Sequence, residues 1–151
     1  MLRHISIVSL LVLLTACGTS PKTDFYMLNA ENEYASVAPK KDQGAVIAIW
    51  TVRLPDYLDR SEIVVRESQY EVELADFSWW AGDLGQNITR LLAIDLGQRL
   101  QSNRIVASTW GTRYKKDFQI KTHIARFDGQ LGGEVVFNGV WTLLDGDGKK
   151  E

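Results

Sequence analysis

Few residue groupings in this chain have the types and spacing that catalysis requires. The sequence holds two histidines. His4 lies near the start, and His123 falls in an alternating segment. A serine–histidine–carboxylate relay would have to use His123, and no Gly-x-Ser-x-Gly turn accompanies it. Glycoside hydrolysis needs two carboxylates held around one bond. The pairs Asp56/Asp59, Glu71/Glu73 and Asp145/Asp147 are candidates, but each reads as turn residues or a solvated strand face. Asp128-Gly129-Gln130-Leu131-Gly132-Gly133 lacks the lysine and the strand-to-helix setting of a phosphate loop, so it reads as a hairpin loop. Asn87-Ile88-Thr89 has glycosylation spacing but falls inside a helical pattern. No ligand spacing suits a metal. The expectation is a protein that is not an enzyme, with no metal and no cofactor.

The single cysteine, Cys17, points to a different chemistry. Arg3 precedes an apolar run from Ile5 to Leu14, followed by Thr15-Ala16-Cys17-Gly18. A basic start, a short apolar stretch and small residues at a cleavage point make a secretory signal. The run is about half the ~20 residues that span a bilayer as a helix. Leu14-Thr15-Ala16-Cys17 resembles the bacterial lipobox, in which the thiol takes a diacylglyceryl group. Cleavage then frees the cysteine's amine for a further acyl chain. One acyl chain binds a membrane marginally, whereas two or more hold it stably. Gly18, rather than Asp, follows the cysteine, which points to the outer membrane under the sorting convention of Gram-negative lipoproteins. The expected organisation is a signal peptide over 1–16, a lipidated cysteine and tether over 17–23, and one domain over 24–151. From Gly18 to Thr23 the tether reaches about 20 Å when stretched.

Removing residues 1–16 takes away one of 17 Lys and Arg and none of 19 Asp and Glu, so the net charge moves from −2 to −3. That balance offers nothing to nucleic acid. The aromatic and β-branched content is too high for a disordered chain.

The elements follow from hydrophobic period. Asp24 to Leu28 reads as a first strand, and Asn29 to Gly44 as a polar surface loop. Ala45 to Trp50 is apolar without alternation, which predicts a strand buried on both faces. Glu62 to Arg66 and Tyr70 to Leu74 read as paired strands around Glu67-Ser68-Gln69. Trp80, Leu84, Ile88, Leu91, Leu92, Leu96 and Leu100 fall at helical spacing, which predicts a helix ending at Ser102-Asn103. Ile105 to Ala107 is a short strand. Two alternating stretches, from Phe118 and from Val135, read as a long antiparallel pair.

Two places have aromatic residues that core packing does not obviously require. In Trp79-Trp80 one ring goes inward, assigned to Trp80, which leaves Trp79 nearer the surface. In Leu54-Pro55-Asp56-Tyr57-Leu58-Asp59-Arg60 charges flank Tyr57 and Leu58. Tyr57, Leu58 and Trp79 are therefore expected to contact a partner. The alternative for the turn is that its apolar members pack into the core.

These residues carry a resemblance. The lipobox, Phe25-Tyr26-Met27-Leu28, the proline turn, Ile63-Val64-Val65-Arg66 and Leu74-Ala75-Asp76-Phe77-Ser78-Trp79-Trp80-Ala81 before the helix are similar to the PqiC-type lipoproteins, the ABC-transport auxiliary lipoprotein components. The likeness covers most of residues 13–110, and residues 111–144 match in pattern only. It implies an α/β fold: a single-domain mixed β-sheet flanked by helices. It also implies a non-enzymatic outer-membrane lipoprotein facing the periplasm, which docks a periplasm-spanning MCE-domain protein of the PqiB kind. Such a system moves lipids between the two membranes and supports envelope integrity. A homo-oligomer is left open. The competing readings are a structural lipoprotein on the cell wall or barrel-assembly machinery, and an envelope hydrolase.

Asp145-Gly146-Asp147-Gly148 is a turn signal after a strand, with only Lys149, Lys150 and Glu151 beyond it. Family members usually continue with a return strand and a helix. The expectation is a C-terminally truncated domain, with the strand from Val135 to Leu144 as a bare edge.

Overall fold

The computed structural model describes residues 21–30, 44–108 and 115–149. The expected signal peptide, Cys17 and most of the polar loop lie outside the described residues. Among the described residues, seven strands and one helix run β1 (Asp24–Tyr26), β2 (Ile47–Ile49), β3 (Glu62–Arg66), β4 (Val72–Trp80), α1 (Leu84–Leu100), β5 (Ile105–Ala107), β6 (Phe118–Gly129) and β7 (Val135–Asp145). The fold is α/β, a seven-stranded mixed sheet with α1 packed on it.

β6 organises the sheet. Along one edge it pairs antiparallel with β7, from Phe118↔Asp145 to Gly129↔Val135. Its other edge is shared. β2 pairs parallel with its first residues, Ile47↔Phe118 to Ile49↔Ile120. Arg53 bridges His123 in the middle, and Val65 of β3 meets Gly129 at the far end. β5 extends the β2 side in parallel. β4 and then β1 extend the β3 side, antiparallel and parallel respectively.

β2 is short and lies between β6 and β5. Ala48 and Ile49 are buried, as a non-alternating apolar run predicts. The burial ends at Trp50, which the sequence placed in the same buried strand and which is 43% exposed.

α1 starts at Leu84, four residues later than the stripe beginning at Trp80 implied. β4 continues through Trp79 and Trp80, and Gly82 at φ 139° turns the chain out of the strand. Asp83 then caps α1, its carboxylate accepting from the Gln86 amide at 2.7 Å. Trp80 is therefore the end of a strand rather than the first turn of a helix. It still faces inward, stacked on Phe127 with centroids 6.1 Å apart. The helix closes on Gln101 in the left-handed region, φ 49°, with Ser102 N donating to Gly97 O at 2.9 Å.

The buried side of α1 combines leucines with small residues. Leu84 and Ile88 join Val52, Leu58, Val64 and Ile124 in the larger core cluster. Ala93 joins Ile49, Ile105 and Ala107 in the smaller one, and Leu92 packs against both. Gly85 and Thr89 let the chain at Val52 approach closely. A Cβ on Gly85 would stand 2.9 Å from Val52 O. Thr89, fully buried, donates to Gly85 O at 2.6 Å and accepts from Val52 N at 2.9 Å. Its hydroxyl thus satisfies a backbone N–H that would otherwise be buried without a partner.

Candidate interaction surfaces

The proline turn is built as a core element. Leu58 N donates to Pro55 O at 2.9 Å, which closes the turn and aims Leu58 inward. Leu58 is 3% exposed, within the larger core cluster. Tyr57 packs against the same cluster and donates its hydroxyl to Asp128 Oδ2 at 2.9 Å. The expected contact role is therefore corrected for Leu58, which has no surface to offer. The turn packs its apolar members into the core because burying them is favourable, while its charged residues Asp56, Asp59 and Arg60 stay in water.

Asp128, read from sequence as part of a hairpin loop, is instead a strand residue with a fully buried carboxylate. Arg66 grips it with both prongs, Nε to Oδ1 at 2.7 Å and Nη2 to Oδ2 at 2.8 Å. Arg126 adds Nε to Oδ1 at 2.8 Å. The Arg66 hydrogen bonds, helped by Arg126 and Tyr57, hold the Asp128 carboxyl well below the usual carboxylate range, against the opposing pull of burial. Burial, then the bond to Asp128, pushes the Tyr57 hydroxyl up. With four donors on two oxygens, this carboxylate is a clamp between the turn, β3 and β6 rather than an acid or base. The signal for it in the sequence was Arg126-x-Asp128, two charges on one face of an otherwise alternating strand.

The other carboxylates follow the bland expectation. Asp145 Oδ1 accepts from Asp147 N at 3.0 Å and Lys149 N at 2.7 Å, a turn built on a side chain. Asp56, Asp59, Glu71 and Glu73 are exposed, as is His123 on β6. Among the described residues, no three metal-binding side chains gather, and no helix is long and apolar enough to cross a membrane.

Trp79 sits where strand alternation puts it, on the opposite side from Trp80. It is half-buried, with its indole N–H donating to Asp76 O at 3.1 Å. The register Phe25↔Trp79 brings a second ring beside it, edge-on at 6.4 Å. Phe25 is 65% exposed, and Phe77 is exposed two residues before Trp79. An aromatic ledge thus forms on β1 and β4. A second apolar surface lies between α1 and β7, where Leu92, Leu96, Ile120 and Trp141 line a groove of about 370 Å³. On β7, Val135, Phe137, Val140 and Trp141 are exposed.

The comparisons with known proteins agree with this architecture. The family model for the ABC-type transport auxiliary lipoprotein component matches residues 26–151. The intermembrane transport lipoprotein PqiC of Escherichia coli K12 is 25% identical over 92 residues, covering 61% of this chain and 48% of that protein. PqiC of Shigella flexneri matches to the same extent. The chain thus spans about half the length of the curated relatives it matches. A crystal structure of an uncharacterised protein superposes with a TM-score of 0.66 at 24% identity, covering 83% of this chain and 72% of that one. One of a Xanthomonas campestris protein gives 0.61 at 14% identity, covering 85% and 72%. These two likenesses concern the fold alone. The match of the family model to nearly all of the folded part establishes that the chain belongs to the ABC-type transport auxiliary lipoprotein family.

Proposed function

We propose that this protein is the outer-membrane lipoprotein of a PqiABC-like transport system, anchored through Cys17 and docking a periplasm-spanning MCE-domain partner. On this reading it performs no catalysis. It holds the outer-membrane end of a route by which lipids pass between the membranes. The aromatic ledge of Phe25, Phe77 and Trp79 carries the docking part of the proposal. Large rings left exposed beside one another are typical of contact sites. The family membership and the lipobox support the anchoring part.

The test has two arms. A photo-crosslinking residue at Trp79 in the full-length protein should capture an MCE-domain protein in cells. Capture of cell wall or barrel-assembly components instead would favour the structural reading. Cys17→Ala should lose palmitate labelling, and labelling at the original level would refute the anchor.

A further inference from the structure

The side of the sheet bearing Lys121 and His123 holds a recess of about 390 Å³ between residues 50–53, β6 and β7. That volume is within the range of sites that take small ligands. Trp50, Arg53, Lys121 and His123 line it, with the exposed Val140 beside them, and no lining residue is acidic. Lys121 Nζ stands 5.6 Å from the centre of the Trp50 ring, and Lys116 Nζ 5.9 Å from it. At those distances an ammonium group is attracted to the ring face.

The aromatic wall is held from within. Trp50 Nε1 donates to Gln119 Oε1 at 2.7 Å. The Gln119 amide donates in turn to Asp145 O at 3.1 Å and Gly146 O at 2.8 Å. Gln119 is buried, so a satisfied interior network sets the indole in place. Among the described residues, Arg53, Lys116 and Lys121 form no ion pair, although the chain as a whole carries a net charge of −2. Cations gathered on one face of a net-negative protein attract an anion from outside the chain.

We infer that this recess binds the phosphate of an anionic phospholipid headgroup. Arg53, Lys116 and Lys121 would supply the charge, and Trp50 would sit at the boundary between headgroup and acyl chain. Tryptophan beside lysine suits that boundary, where an amphipathic ring meets negative phosphate. The choice of a lipid over free phosphate rests on the anchoring proposed above, since a short tether keeps the domain near a bilayer.

The experiment uses the processed chain with Cys17→Ser, exported behind an ordinary cleavable leader so that no acyl anchor contributes. It is sedimented with vesicles of phosphatidylcholine alone or with added phosphatidylglycerol. Binding should require the anionic lipid and weaken with salt. Arg53→Gln with Lys121→Gln should lower partitioning about 30-fold, from ~1 kcal/mol per basic residue at an anionic surface. Arg99→Gln on α1 should leave it unchanged, and melting temperatures should match throughout. Equal sedimentation with both vesicles, or no effect of the double substitution, overturns the inference. Binding of inorganic phosphate without vesicle preference assigns the recess to a free anion, and binding of polyglutamate without it assigns an acidic protein; either also overturns the lipid. Palmitate labelling of the unsubstituted protein reports on the anchor separately, so the two failures are distinguishable.

Discussion

The two ends of β6 treat positive charge in opposite ways. At its C-terminal end, Arg66 and Arg126 both turn onto the buried Asp128 carboxylate. At its N-terminal end, Lys116 and Lys121 stand over Trp50, and Lys121 and Arg53 line a recess without a carboxylate. The difference is whether a desolvated acid lies within reach. Where it does, the basic groups are committed to holding the fold together. Where it does not, they remain available to something outside the chain.

The contrast is broken most strongly at Asp128. Asp128→Ala removes the buried carboxylate on which Arg66, Arg126 and the Tyr57 hydroxyl converge and should cost about 3–5 kcal/mol. A two-state denaturant titration would read this directly, and a loss under 1 kcal/mol would reclassify the clamp as a surface bridge. Leu58→Ala comes next, at about 2–5 kcal/mol for a buried leucine. The sequence reading of Tyr57 and Leu58 as contact residues implied almost no change in melting temperature on truncation, so this measurement decides between core and contact.

Thr89→Val should follow, at about 1–3 kcal/mol, because Val52 N would lose its acceptor in a buried place. The acid response is subtler. Asp128 has a lower pKa folded than its ordinary 3.8. Its contribution is therefore complete above that ordinary value and is lost as pH falls below it towards the folded pKa. Thermal melts from pH 5 to pH 2 should fall less steeply for Asp128→Asn than for the parent. At the small end, Arg53→Gln and Lys121→Gln should each change stability by no more than about 0.5 kcal/mol, as expected of surface sites. A larger loss would mean that these cations belong to the scaffold after all.

Much of this architecture is legible from hydrophobic period. β3 and β5 fall where alternation and apolar runs place them, and β6 and β7 form the expected antiparallel pair. The leucine spacing locates α1 but not its start. Trp79-Trp80 reads equally well as a strand end and as a helix opening, and the deciding feature is Gly82-Asp83, a break followed by a cap. Asp128 was hidden because Asp-Gly before glycines looks like a turn. Its role depends on Arg66, 62 residues away in sequence, and spacing carries no record of that contact. Trp50 was hidden for a similar reason, since an apolar run does not show which of its residues reaches the surface.

The parallel pairing of β1 with β4 has a mechanical consequence. A pull on the residues before Asp24 runs along the axis of β1, so Asp24↔Ser78, Phe25↔Trp79 and Tyr26↔Trp80 share the load in shear rather than parting one at a time. Ala81 N, donating to Tyr26 O at 2.7 Å, adds a final hydrogen bond at the C-terminal end of the strand. Three pairs are few, so β1 is the element that yields first under tension. Its detachment would free the chain as far as Leu28 from the sheet, while β6, the Asp128 clamp and the helix-covered core stay intact.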